Sequence, residues 1–161
     1  MSSIGVKIDP GDLSKLNKKL NKLKSEAPKE LSKNIAHAAK YIENTAVRNA
    51  PVYKGDKYLG GGLKQSIGSE VIGSNAQIFA KKKYAPYQEF GTGRFVDTKE
   101  AQAIGIPAAE IKKLYKGKGI KKVNIQPQPF FFPAVRKGLK KLLDDIEVSL
   151  KKLVWKMLQS T

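Results

Sequence analysis

Two stretches of this chain repeat their apolar residues at the three-to-four-residue spacing of a helix, with lysine on the opposite side. In the first, Leu13, Leu16, Leu20 and Leu23 lead, past Pro28, into Leu31, Ile35, Ala38, Ile42 and Ala46, with Lys15, Lys18, Lys19 and Lys22 opposite. In the second, after Pro133, one stripe runs through Val135, Leu139, Leu142, Leu143, Ile146, Leu150, Leu153, Val154 and Met157. The first pattern predicts a helix from about Asp12, as N-cap, to about Asn49, with Pro28 in a first turn or at a kink. Pro51 should end it, because proline donates no hydrogen bond and disfavours helical backbone at Ala50. Between the two helices, Ser66–Ile72 and Gln77–Ala80 read as short strands joined by a Gly73-Ser74 turn, hence antiparallel. Ile4, Val6 and Ile8 alternate with polar or small residues, the period of a strand with one buried face. Residues 53–62 hold four glycines and read as a loop. Residues 94–124 read as a long basic loop, a short helix near Ala108–Leu114 being the other option. The expected fold class is α+β: a small, mostly antiparallel sheet packed by a long N-terminal and a C-terminal helix, one domain over residues 1–161.

Composition narrows what such a fold can do. There is no cysteine, which removes disulfides, thiolate metal sites and cysteine nucleophiles together. No apolar run approaches the roughly 18 residues that span a bilayer, and Met1–Val6 has no signal-peptide pattern. Thirty-one Lys and Arg against 14 Asp and Glu leave a net charge of +17, a field that gathers polyanions or acidic protein surfaces. Only Arg48, Arg94 and Arg136 are arginine, so bidentate reading of base edges or phosphates is not what the charge is built for.

Enzyme signatures are missing. The single histidine, His37, falls about 160° from Ile35 on an ideal helix, on the lysine side, and reads as a solvated surface residue. Asp144, Asp145 and Glu147 sit in a lysine-rich helix, where intrahelical ion pairing is the plain explanation. Gly60-Gly61-Gly62 lacks the lysine and hydroxyl of a phosphate-binding loop. No cofactor, metal or catalytic residue is expected.

Two clusters are denser. Tyr84-Ala85-Pro86-Tyr87-Gln88-Glu89-Phe90-Gly91-Thr92-Gly93 sets three aromatics around one carboxylate before a glycine-permitted reversal. It reads most simply as an aromatic corner, with Glu89 bonded to nearby backbone or to a lysine. Gln126-Pro127-Gln128-Pro129-Phe130-Phe131-Phe132-Pro133-Ala134 approaches the last helix extended, and Pro133 suits a first helical turn. Three consecutive phenylalanines on an extended segment cannot share one core, so at least one should meet a partner or a second layer. Trp155, about 160° from Val135 and Leu153, falls among lysines and reads as an interface anchor.

In this order the clusters resemble the small neck and tail-completion proteins of long-tailed double-stranded-DNA phages, the group that includes lambda minor tail protein Z. Asn49-Ala50-Pro51 is similar to that family's helix-ending Ala-Pro, and Gly62-Leu63-Lys64-Gln65-Ser66 to its Thr-Gly-x-Leu-x-x-Ser. Tyr84 to Gly93 resembles its Tyr-Ala-x-Tyr-x-Glu-x-Gly-Thr, and Pro129 to Ala134 its Pro-Phe-x-x-Pro-Ala. The chain departs in its extended 53–61 link, in having no threonine before Gly62, and in its enlarged basic segment 94–124. The resemblance implies a non-enzymatic virion protein at the head–tail junction. It would form a six- or twelve-fold ring between the head connector or stopper and the tail terminator or tail-tube proteins. DNA would pass through that ring, touching it non-specifically if at all, and no membrane would be involved; assembly would take place in the host cytoplasm. The motif residues expected at packing or interface positions are Pro51, Leu63, Ser66, Tyr84, Tyr87, Glu89, Phe90, Gly91, Thr92, Gly93, Pro129, Phe130, Phe131, Phe132, Pro133 and Trp155. Charge alone leaves a non-specific nucleic-acid-binding protein as the alternative, and the lysine-faced amphipathic helices leave a membrane-surface protein as a third.

Overall fold

A computed structural model of the chain describes residues 10–52, 61–113 and 124–159. The first helix, α1, runs unbroken over Pro10–Asn49, 40 residues or about 60 Å at 1.5 Å per residue. It starts two residues before the expected cap and carries Pro28 in its interior rather than in a first turn. The Ser32 hydroxyl donates to the Pro28 carbonyl at 3.0 Å. The helix stops where Pro51 requires it to, the Ala50 N–H closing the last turn on the Ala46 carbonyl at 2.8 Å. The strand expected at Ile4–Ile8 and most of the loop expected at 53–62 lie outside the described residues.

A single helical turn, Lys64–Ser66, leads into β1 (Ile67–Ile72), which pairs antiparallel with β2 (Asn75–Ala80). The register Ile72↔Asn75 leaves Gly73 and Ser74 as the whole turn. Gly73 has φ +61° and Ser74 a negative φ, as a type II′ hairpin demands of its two central residues. Side chains alternate across the hairpin. Ile67, Ile78 and Ala80 face α1 and join Ile42, Ala46 and Ala50 in the main core, while Ser69 donates to Glu43 Oε2 at 2.6 Å. The fold is α+β, with the sheet reduced to this hairpin among the described residues.

The stretch read as a long basic loop is folded in its described part. Short helices α2 (Ala85–Phe90), α3 (Lys99–Gln102) and α4 (Ala108–Lys113) follow the hairpin. They build a second core from Phe90, Ala101 and Ile111, with Ile106 and Phe132 against it. Lys99 and Lys113 are exposed on the outside of this small apolar knot, so charge and burial are separated there by side chain rather than by segment.

The last helix, α5 (Phe132–Gln159), lies antiparallel along α1. Gly138 meets Ile42, and eleven residues later Ser149 Oγ accepts from Asn34 Nδ2 at 3.0 Å. Continuing that pairing, α5 runs out opposite about residue 22 of α1. Leu13, Leu16 and Leu20 lie beyond that point and are 49–52% exposed, so the apolar stripe of α1 outlasts its partner.

The closest approach of the two helices depends on Gly138. A methyl built there would run into Ile42 Cγ1, with Cδ1 only 2.7 Å away. Alanine is the better helix former by about 1 kcal/mol, but the helices would have to separate along their length. Gly138→Ala is expected to lower stability by about 1–3 kcal/mol, and Ile42→Ala should cost less in the Gly138→Ala chain than in the wild type, because it removes the clash as well as a core side chain. Thermal unfolding of the single and double variants checks this; a higher melting temperature for Gly138→Ala would contradict it.

Candidate functional site

The Tyr84–Gly93 corner and the phenylalanine segment meet through one carboxylate. Glu89, on the last turn of α2, is 3% exposed. Its Oε2 accepts the backbone N–H groups of Phe130 and Phe131 at 2.8 Å each, and its Oε1 accepts that of Phe132 at 3.0 Å. These are the amides at the mouth of α5, which have no carbonyl a turn earlier to bond. The carboxylate therefore caps a helix from outside it, at the end where the peptide dipoles favour negative charge. The partner amides lie more than forty residues away in sequence, beyond the nearby backbone that the corner alone suggests.

Further backbone bonds lace the segments together. The Gln128 N–H donates to the Gln88 carbonyl at 2.7 Å. Thr92 and Ile125 are joined twice, N–H to carbonyl at 2.9 Å one way and N–H to Thr92 Oγ1 at 2.9 Å the other. Gly91 makes room for this: it has φ +72°, and a Cβ there would lie 2.7 Å from the Ile125 carbonyl oxygen.

The four motif pieces converge. Ala50, Leu63, Ala85, Phe130 and Ala134, one or more from each piece, share the main core, with Phe130 1% exposed. The three phenylalanines divide their faces as their spacing requires. Phe130 enters the main core, Phe132 stacks on Phe90 at 5.3 Å in the second, and Phe131 sits edge-on between them at 6.3 and 5.5 Å. Ser66 closes its own turn, its hydroxyl donating to the Leu63 carbonyl at 2.7 Å. Thr92 is buried, Gly93 takes φ +60° at the reversal, Pro51, Tyr87 and Pro133 are half-buried, and Tyr84 and Pro129 are exposed.

Trp155 stands apart from this knot. It is 63% exposed and borders an apolar patch with Leu150, Val154 and Leu158, flanked by Lys151. That patch is larger than the lone tryptophan among lysines read from the helical wheel, because Leu158 lies one turn beyond Trp155 and Leu150 and Val154 border the same surface. With Leu139 and Leu143 it continues a stripe along the outside of α5, and Ile72 at the hairpin tip is 77% exposed.

Sequence reading missed three things. Ala101 and Ile111 were masked by the surrounding lysines, although Ile104, Ile106 and Ile111 were a faint apolar signal there. The amide partners of Glu89 leave no local trace. The Ile42–Gly138 contact is visible only as a glycine within an otherwise strong helical pattern. Among the described residues no group of three His, Cys, Asp or Glu could hold a metal, and no helix is long and apolar enough to cross a membrane.

Buried motifs that lock a small α+β core, with apolar helix faces turned outward, define a protein built for packing and contact. Residues 14–91 match the HK97-gp10-like family model, described as "Bacteriophage HK97-gp10, putative tail-component". Over those residues the chain is similar to a phage tail component, and the resemblance to a phage head–tail or tail family holds; the narrower likeness to lambda minor tail protein Z rests on no match. No curated protein and no solved structure matches the chain. The matched span runs through α1, the hairpin and α2 to Gly91, so it contains Glu89 but none of the amides that Glu89 holds.

Burial pushes the Glu89 carboxyl above the ordinary carboxylate range; the amides of Phe131, Phe130 and Phe132 pull it back, and the charge of Glu100 adds a smaller upward push. A folded-state value above the unfolded one means that the native state holds the proton more tightly. Stability then falls as pH rises from the ordinary glutamate range through the raised value. Glu89→Gln should flatten that slope while costing about 1–2 kcal/mol for a misdirected amide, and Glu89→Ala should cost about 4 kcal/mol by stranding three buried N–H groups. Chemical denaturation across mildly acidic to neutral pH reads both; equal slopes in the wild type and Glu89→Gln would refute the assignment.

Proposed function

We propose that this chain is a non-enzymatic, single-domain subunit of the phage head–tail junction, forming a ring that joins the head connector to the tail tube and lets DNA pass. The observation that carries this reading is the apolar stripe that the fold leaves uncovered on both long helices. Leu13, Leu16 and Leu20 on α1, and Leu143, Leu150, Val154, Trp155 and Leu158 on α5, are 44–68% exposed. Moving each from half-exposed to buried is worth about 1 kcal/mol, enough in sum to hold neighbouring subunits together. The likeness of residues 14–91 to a phage tail component supports a structural role within the virion.

The lysines fit this reading as guides to acidic neighbours. Lys15, Lys18 and Lys22 lie on the face of α1 opposite its stripe, and Lys151, Lys152 and Lys156 stand beside that of α5. A ring lined with many lysines would hold translocating DNA by charge, so acidic surfaces of the connector or tail-terminator rings are the better match. Of the motif residues, Trp155 is the interface anchor, whereas Leu63, Glu89, Phe90, Thr92 and Phe130 hold the fold that presents it. The stronger claim of the alternative, non-specific nucleic-acid binding, is the net charge of +17.

Leu16→Glu and Trp155→Ala are expected to leave unfolding free energy within about 0.5 kcal/mol of the wild type, as exposed positions do. Both should weaken assembly, read as loss of rings by electron microscopy and loss of infectious particles in a phage supplied only with the variant. Unchanged rings and titre would refute the interface. Tight, steeply salt-dependent binding to free DNA by a chain that never enters particles would favour the alternative.

A further inference from the structure

The hairpin of β1 and β2 has an edge prepared for another strand. The bond from the Lys81 N–H to the Ser66 carbonyl, at 3.0 Å, and the closing pair Ile72↔Asn75 fix which residues face each other through hydrogen bonds. By the alternation of an antiparallel ladder, the N–H and C=O groups of Ala76, Ile78 and Ala80 point away from β1. Among the described residues nothing bonds to them. Beside that edge runs a groove of about 260 Å³, lined by Ile78, Phe79, Ala80, Pro86, Phe131 and Phe132 among others. Three successive β2 residues line it, so the backbone edge itself forms one wall. Two strands alone are marginal in water, and an apolar trough along a free edge suits an extended segment whose alternate side chains are apolar.

We propose that the occupant is the segment Ile4–Ile8 of a second copy of this chain, added to β2 as a third strand. Of the segments outside the described residues, only this one alternates apolar and polar residues at period two. Ile4, Val6 and Ile8 would enter the groove over Ile78, Ala80 and Phe131, leaving Gly5 and Lys7 on the outer face. The chain cannot fill its own groove this way. The hairpin tip is fixed beside Ser32 by the Ser32–Ser74 hydroxyl contact at 3.1 Å. Twenty-two residues of unbroken helix separate Pro10 from Ser32, about 33 Å. The six residues from Ile4 to Pro10 reach about 20 Å when fully extended. Ile4 therefore stops short of the tip, and the edge lies farther on. A donor at one end of α1 and an acceptor beyond its middle make a head-to-tail contact, the type that closes into rings. The inference rests on the ring reading only for that closure, and purified protein tests the contact by itself.

The experiment uses the full chain carrying Ile4→Lys, Val6→Lys and Ile8→Lys together, compared with the wild type by sedimentation velocity. A fluorescent peptide of residues 3–9 is then titrated onto the triple variant, with backbone amide exchange followed by NMR. The wild type should self-associate and the triple variant should sediment as a monomer. The peptide should bind the triple variant saturably and slow exchange of the Ile78 and Ala80 amides, and Ala76→Pro should weaken binding by about tenfold or more by removing an outward N–H. If Ala76→Pro loses its folded spectrum, the exchange measurement on the otherwise intact triple variant decides. Like sedimentation of wild type and triple variant, or no protection at Ile78 and Ala80, overturns the strand. Rings that persist in the triple variant overturn it too while leaving the ring reading in place; a titrated strand that binds in a protein absent from virions upholds the strand and sinks that reading.

Discussion

Three amides closing on the Glu89 carboxylate hold this fold together, because they tie α2 to the start of α5 across more than forty residues of chain. A carboxylate removed from water is costly unless its lone pairs are filled, and an exposed helix start leaves N–H groups that need acceptors. Each requirement answers the other. Once α2 is docked against the mouth of α5, Phe130 and Phe132 have no choice but to enter opposite cores. Gly91 must then take a left-handed backbone so that Thr92 can reach Ile125. The energetics are local, but the result is global: α5 is aimed along α1, and the helix pair becomes the scaffold for the hairpin.

The family likeness gains a physical meaning from this arrangement. Pieces that read along the sequence as four separate motifs are one object in space, since Ala50, Leu63, Ala85, Phe130 and Ala134 touch the same core. Motif residues of this kind say little directly about what the protein contacts. They describe how the chain is tied, and the surfaces proposed above for contact lie on the untied parts, the α1 stripe, the outer face of α5 and the hairpin edge. A phage tail component would be free to change partners by altering those surfaces while retaining the knot.

The long helices, the hairpin and its turn were legible in the sequence because each is set by periodicity or by one residue with a special backbone. Pro51 and Gly73 are of that kind. Pro28 lies inside α1 rather than in a first turn, and the helix is continuous as its periodicity predicts: a proline forbids one bond, and tertiary packing over 40 residues outweighs a local loss of about 3 kcal/mol. Within 94–113 the helix Ala108–Lys113 matches the short helix that the residues offer as the other option, while the rest of the segment is hidden. Its buried residues are few and small, Ala101 among them, and lysines dominate any average taken over such a window. Glu89 stands out in the sequence as the one carboxylate among three aromatics, yet its role depends on residues brought near only by folding, which no local pattern encodes.

The part of α1 that outruns α5 makes the molecule a cantilever. Some twelve residues, about 18 Å, project from a support clamped where Ile42 meets Gly138 and where Asn34 meets Ser149. A load applied sideways at the tip is felt as a bending moment at the clamp rather than as local unfolding at the point of contact. A neighbour seated on the beam would thus tilt the whole helix pair, and with it the hairpin on the far side. In the ring proposed above, that leverage would let displacement at one layer be sensed at the next.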